Sequence, residues 1–339
     1  MSDGRFPPTL GRLPLHRRND TIARLNRFGA EGRPFVFLVD YAAEQAVVEP
    51  LDALSPDELA YDFGGVTNVP SPDGPTAVGH PRVGVAQPAA LTPHLPAFAD
   101  YARAFALVQG GLRRGDSFLT NLTQRVPIKT PLTLADIFAR ARARYRLFVP
   151  ERWVCFSPEP FVRIADGHIR TFPMKGTIDA TLPQAEQTLL ANAKEQAEHA
   201  TIVDLLRNDL SQIATEVHVA RYRYVEEIHT HRGALLQTSS EIVGHLPDNY
   251  LSQLGDILMP LLPAGSITGA PKLATVQSIA EAETYDRGYY TGIMGCFDGT
   301  SLQSAVMIRF VEQKPDGSLV FKAGGGITTR SDAKSEYQE

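Results

Sequence analysis

The run FVRIADGHIRTF, residues 161–172, constrains this chain most. Apolar and β-branched residues alternate with polar ones on both sides of Asp166-Gly167. That dipeptide tolerates the left-handed backbone a two-residue hairpin turn requires. Two antiparallel strands are therefore expected here. Further strand-like runs are PFVFLVDY (34–41), FLTNLTQRVPI (118–128), WVCFSP (153–158) and LVFKAGGG (319–326). Helical spacing marks 97–116, TLADIFARARARYR (133–146) and one long block over 183–214. Hairpins mixed with helices of this length predict an α+β fold with mainly antiparallel sheet. Residues 69–96, rich in proline, read as a connection. A single domain over 1–339 is expected, with 1–98 a short N-terminal portion and 99–339 the core that carries the motifs.

At 339 residues and 43% hydrophobic, the chain has enough apolar material for a large core. A net charge of −5 gives no basic surface for nucleic acid or an anionic membrane. No apolar run approaches eighteen residues, and no signal peptide is recognisable, so the cytosol is the expected compartment. Two unpaired-looking cysteines, Cys155 and Cys296, exclude a disulfide framework and a cysteine zinc site.

Several residues invite chemistry, each with a plainer alternative. Glu198 falls on a largely apolar stripe of the long helical block, where a carboxylate must be paired, protonated or metal-bound, unless it reaches water at the helix edge. Glu336 and Glu339 share one helix face, as a hard-cation site would need and as ordinary charged surfaces also do. Gly324, Gly325 and Gly326 could converge backbone N–H groups on an anion or simply make a turn. Arg309 lies inside an apolar strand and faces either solvent or an anion. Glu159 sits where a strand gives way to proline, as a general acid or a loop acid. Lys175, in TFPMKGTIDA, is either a turn residue or a pocket amine. No Walker A loop is present. Acids, an arginine, glycine nests and one odd lysine together suit a small anionic substrate held through Mg²⁺.

The ordered set SPE, PMKGT, KEQAEHATIVDLLRNDL, PAGSITGAPK, RGYYTGIMG, MIRF, AGGGI and EYQE resembles the signatures of the chorismate-utilising enzymes over roughly 100–339. The resemblance implies an antiparallel β-sandwich flanked by helices, as in anthranilate synthase component I. It is closest to the branch that forms aminodeoxychorismate. By that resemblance Lys175 would attack C2 of chorismate and Glu159 would protonate the departing C4 hydroxyl. Glu198 and Glu339 would hold Mg²⁺, with Glu336 helping. Thr177, Gln237, Thr268, Gly269, Tyr290, Arg309 and the three glycines would bind substrate, and Lys272 would steady its loop. Ammonia would come from a partner glutamine amidotransferase. Leu119 stands where water-activating members carry lysine, and Gln237 where many members carry histidine. The sequence ends at Glu339, where the family's last helix continues, which would place that ligand on a fraying helix end.

Overall fold

The computed structural model describes residues 9–69, 91–230 and 233–338. The hairpin that opened the sequence argument is present: Asp166 and Gly167 have φ of 51° and 70°, and Ala165 pairs with His168.

In chain order the strands that matter are β1 (Phe35–Val39), β2 (Gln45–Pro50), β3 (Ala60–Phe63), β4 (Leu119–Lys129) and β5 (Tyr145–Val149). Next come β6 (Trp153–Ser157), β7 (Pro160–Ala165), β8 (His168–Thr171), β9 (Met174–Asp179), β10 (Thr215–Thr230) and β11 (Gly233–His245). The last are β12 (Ile293–Phe297), β13 (Leu302–Val306), β14 (Phe310–Gln313) and β15 (Leu319–Ile327). One sheet runs β9-β11-β8-β7-β13-β12-β1-β2, with β10 on the far edge of β11. The other runs β4-β15-β14-β6-β5-β3. The described ladders are antiparallel, so the fold is α+β. Strands from the first 98 residues enter both sheets: β1 pairs with β12, and β3 with β5.

Strand β1 shows why the sheets stack. All five of its residues are buried. Val36 and Leu38 pack between the sheets with Tyr61, Leu147, Met294 and Phe310. Phe35, Phe37 and Val39 face the opposite way, into helices α1 (Arg18–Ala30) and, further on, α5 (Ala193–Leu210) and α6 (Leu254–Leu258). Side chains alternate at period two, so a strand covered on both faces reads as a continuous apolar run. On the outer side of the second sheet lie α2 (Phe98–Arg114), α3 (Leu134–Arg140), α7 (Lys272–Ala282) and α8 (Ala333–Gln338).

Three expectations change. The helix expected over 133–146 ends at Arg140, because Tyr145, Leu147 and Val149 alternate into the core between the sheets. The long block divides into α4 (Ala185–Ala191) and α5, because the Asn192 side chain accepts from the amides of Lys194 and Glu195 and caps a new helix. Of the connection over 69–96, residues 70–90 lie outside the described residues, and Thr92–Pro93 forms a short strand on β4. The long β10–β11 ladder carried no recognised turn signal. No described helix is long and apolar enough to cross a membrane.

Candidate active site

A cavity of about 390 Å³ opens where the chain crosses between the sheets. Its walls include Glu159 at the β6–β7 junction, Lys175 on β9, Glu198 on α5 and Ser266. Gly324, Gly325 and Gly326 close it from β15.

Lys175 owes its direction to a bulge. The pairing of β9 with β11 shifts register between Met174 and Thr177, which turns one residue out of the ladder. Gly176 completes that bulge at φ +85°, and a Cβ there would stand 3.1 Å from Glu195 Oε2. The Thr238 hydroxyl donates to the Lys175 carbonyl and fixes the bulge from behind. The Lys175 amine lies 2.9 Å from Glu198 Oε2, and Lys194 lies 3.9 Å from Glu198 Oε1. Burial alone would push the Lys175 amine down, but Glu198, with Glu195 and Glu336 behind it, outweighs burial and holds it above its ordinary value.

Glu195, Glu198 and Glu336 thus act on one point. Glu195 escaped the sequence reading, although its i, i+3 spacing to Glu198 on one helix face was a usable signal. Its Oε2 is buried without a hydrogen-bond partner. An all-oxygen set with an orphaned carboxylate oxygen suits a hard divalent cation, and the Lys175 ammonium sits against it here. Among the described residues no group of three or more His, Cys, Asp or Glu side chains is arranged, as it stands, to hold a metal ion. Glu339 lies outside the described residues. Asp332 accepts from the amides of Lys334 and Ser335 and so starts α8, which carries Glu336 toward Gly325.

Across the cavity, burial pushes the Glu159 carboxyl up, while the Ser266 hydroxyl and the charge of Arg309 pull it back. The Glu159 backbone is pinned to Ser157 Oγ and to the Val306 amide. The Ser266 loop is itself latched to α5. Lys272 Nζ lies 3.0 Å from Asp209 Oδ2 and donates to the Leu261 carbonyl at 2.8 Å.

Strand β14 pairs with β15 only as far as Lys322, so among the described residues no strand lies beside one edge of the glycine run. Arg309 precedes β14 with φ +56° and is exposed. Of the other expected binding residues, Tyr290 is buried against Phe310, and Thr268 and Gly269 are buried behind β4. Thr177 and Gln237 pair with each other across β9 and β11. The lining residues do not include Thr177, Gln237, Thr268, Gly269, Tyr290 or Arg309. They do include Asn121, Lys194, Ser266 and Arg330, which sequence reasoning passed over. Both thiols are deeply buried and pushed up, Cys296 to about 12, so neither suits a nucleophile.

The profile of a family described as chorismate binding enzymes matches residues 80–339. A Haemophilus influenzae protein named "Uncharacterized PabA-like protein" is 48% identical over 318 residues, covering 94% of this chain and 93% of its own. Aminodeoxychorismate synthase component 1 of Salmonella typhimurium is 34% identical over 256 residues, covering 71% of this chain and 55% of its own. The crystal structure of anthranilate synthase component I from Streptococcus pneumoniae superposes with a TM-score of 0.63 at 29% identity, over 74% of this chain and 57% of that one.

Proposed function

The chain belongs to the family of chorismate-binding enzymes, and on that premise we propose that it is the aminating component of an aminodeoxychorismate synthase. The observation that carries this reading is Lys175, presented by a bulge into the cavity that Glu159 also lines.

The chemistry follows from those two groups. The Lys175 amine bonds to C2 of chorismate, and both ring double bonds shift toward C4. The C4 hydroxyl leaves with a proton from Glu159, as water. Ammonia then adds at C4, the double bonds shift back, and the bond from Lys175 to C2 breaks. The product is 4-amino-4-deoxychorismate. To attack, the amine must shed its proton and leave Glu198, and the burial around it favours the neutral form once that partner is engaged elsewhere. Burial pushes the Glu159 carboxyl up, the direction that favours the protonated form its role requires.

Glu198 and Glu336, with Glu195 beside them and Glu339, would hold Mg²⁺, which supplies positive charge against a substrate carboxylate. The free edge of Gly324–Gly326 offers backbone N–H groups to a carboxylate. Ammonia would come from a glutamine amidotransferase partner, since neither buried cysteine of this chain suits that chemistry.

Product analysis with chorismate, Mg²⁺ and ammonium, with and without a glutaminase subunit, tests the proposal. Aminodeoxychorismate is expected. Anthranilate with pyruvate would overturn it in favour of an anthranilate synthase, the activity named for the Streptococcus pneumoniae structure.

A further inference from the structure

Outside the cavity, one buried cation uses every edge of its side chain. Arg287 is 2% exposed. Its Nε and Nη2 form a fork on Glu283 at 2.8 and 2.6 Å. Nη1 donates to the Ile267 carbonyl at 3.0 Å and reaches the Thr291 hydroxyl at 3.4 Å. Nη2 also donates to the Asn121 carbonyl at 2.7 Å. Glu283 in turn accepts from the Thr123 amide and hydroxyl, both at 2.8 Å. The Tyr41 ring covers the guanidinium at 4.6 Å, and the Lys322 amine donates to the Arg287 carbonyl at 2.9 Å.

Burying a guanidinium costs several kcal/mol, about as much as such a pair returns, so stability alone is a weak reason for this arrangement. The two carbonyls it reaches are more telling. Ile267 follows Ser266, which lines the cavity with Glu159 and whose hydroxyl pulls that carboxyl down. Asn121 lines the cavity, its amide donates to the Thr268 carbonyl at 2.9 Å, and its Oδ1 is buried without a partner. Arg287 therefore straddles the joint between β4 and the loop that carries Ser266.

We propose that Arg287, oriented by Glu283, is a positioning residue: it ties the Ile267 and Asn121 carbonyls together and so keeps the Ser266 hydroxyl on Glu159 and Asn121 at the cavity wall. This rests on the reading of Glu159 as the acid in chorismate amination. Lysine at 287 would keep the charge but lacks the planar fork, and a single ammonium cannot hold Glu283 and reach both carbonyls.

The test compares full-length wild type, Arg287→Lys, Ser266→Ala and the double variant. Arg287→Lys is expected to lower kcat for aminodeoxychorismate formation by about tenfold or more, with KM for chorismate changed by less than about threefold. Because part of the effect of Arg287 runs through Ser266, the loss in the double variant should be smaller than the product of the two single losses. Hydrogen exchange at the Asn121 amide should quicken by about tenfold or more in Arg287→Lys, while the amides of β12 keep their protection. Wild-type kinetics in Arg287→Lys, or losses that multiply in the double variant, would overturn the proposal. If wild type itself forms no aminodeoxychorismate, the function reading fails. The exchange comparison then decides alone whether Arg287 anchors the joint.

Discussion

The Lys175 amine lies 2.9 Å from Glu198 Oε2, so the group expected to attack substrate and the group expected to hold metal neutralise each other. The Glu198 carboxylate is thus paired before any ligand enters, and the amine stands against a carboxylate a divalent cation would use.

Replacing Lys175 by alanine separates those two duties. Formation of aminodeoxychorismate should fall by about 100-fold or more, because the proposed attack at C2 loses its amine. Chorismate binding, followed by equilibrium titration, should persist. Without Lys175 the carboxylates of Glu195, Glu198 and Glu336 lose a cation, so Mg²⁺ should raise the Tm of this variant more than that of wild type. Undiminished product from Lys175→Ala would end the nucleophile assignment.

Removal of the metal tests the acidic cluster. Chelation should abolish turnover, and added Mg²⁺ should restore it. Glu198→Gln should raise the half-saturating Mg²⁺ by about tenfold or more, and Glu195→Gln by less, since a neutral amide is a poorer ligand. An unchanged Mg²⁺ requirement in Glu198→Gln would remove it from the ligand set.

The pH profile reports on Glu159. An acid catalyst works while protonated, and burial pushes this carboxyl up, so activity should extend above the usual carboxylate range and decline as pH rises through its pKa. Glu159→Gln should lose that alkaline limb along with most of the rate. If the limb survives the substitution, another group supplies the proton.

The latch between Asp209 and Lys272 makes a prediction about stability. Lys272→Met leaves the mostly buried Asp209 carboxylate without its cation, and urea unfolding should register a loss of about 2–4 kcal/mol. Asp209 already has its carboxyl pushed up by burial against the pull of Lys272. Removing that pull should make the loss largest at neutral pH and smaller in acid, where the carboxyl protonates. A variant as stable as wild type would show the pair to be dispensable.

Much of this was legible in the residues, for definite reasons. Asp166-Gly167 announced its hairpin because few dipeptides accept two positive φ values. Lys175, Glu159, Glu198 and the three glycines stood out because each breaks the pattern of its own segment, and the structure brings them to one cavity. Asn121 and Ser266 give no signal in the sequence because small polar residues in strands and loops are unremarkable until the fold sets them on a cavity wall. The helix over 133–146 was overextended because Arg and Ala favour helix locally, while sandwich packing draws Tyr145 and Leu147 into a strand. Tyr290 and Arg309 lie outside the cavity lining, Tyr290 buried against Phe310 and Arg309 turned outward just before β14 at φ +56°.

The close approach of Gly176 to Glu195 also limits how this motif can vary. Any side chain at 176 would meet a carboxylate at 3.1 Å while forced into a left-handed backbone. Within the pair that forms the bulge, the limit on position 176 is steric, whereas the limit on position 175 is the charge it sets against Glu198. On the proposed chemistry, a change in which ring carbon receives nitrogen would therefore run through position 175, with its neighbour fixed by lack of space.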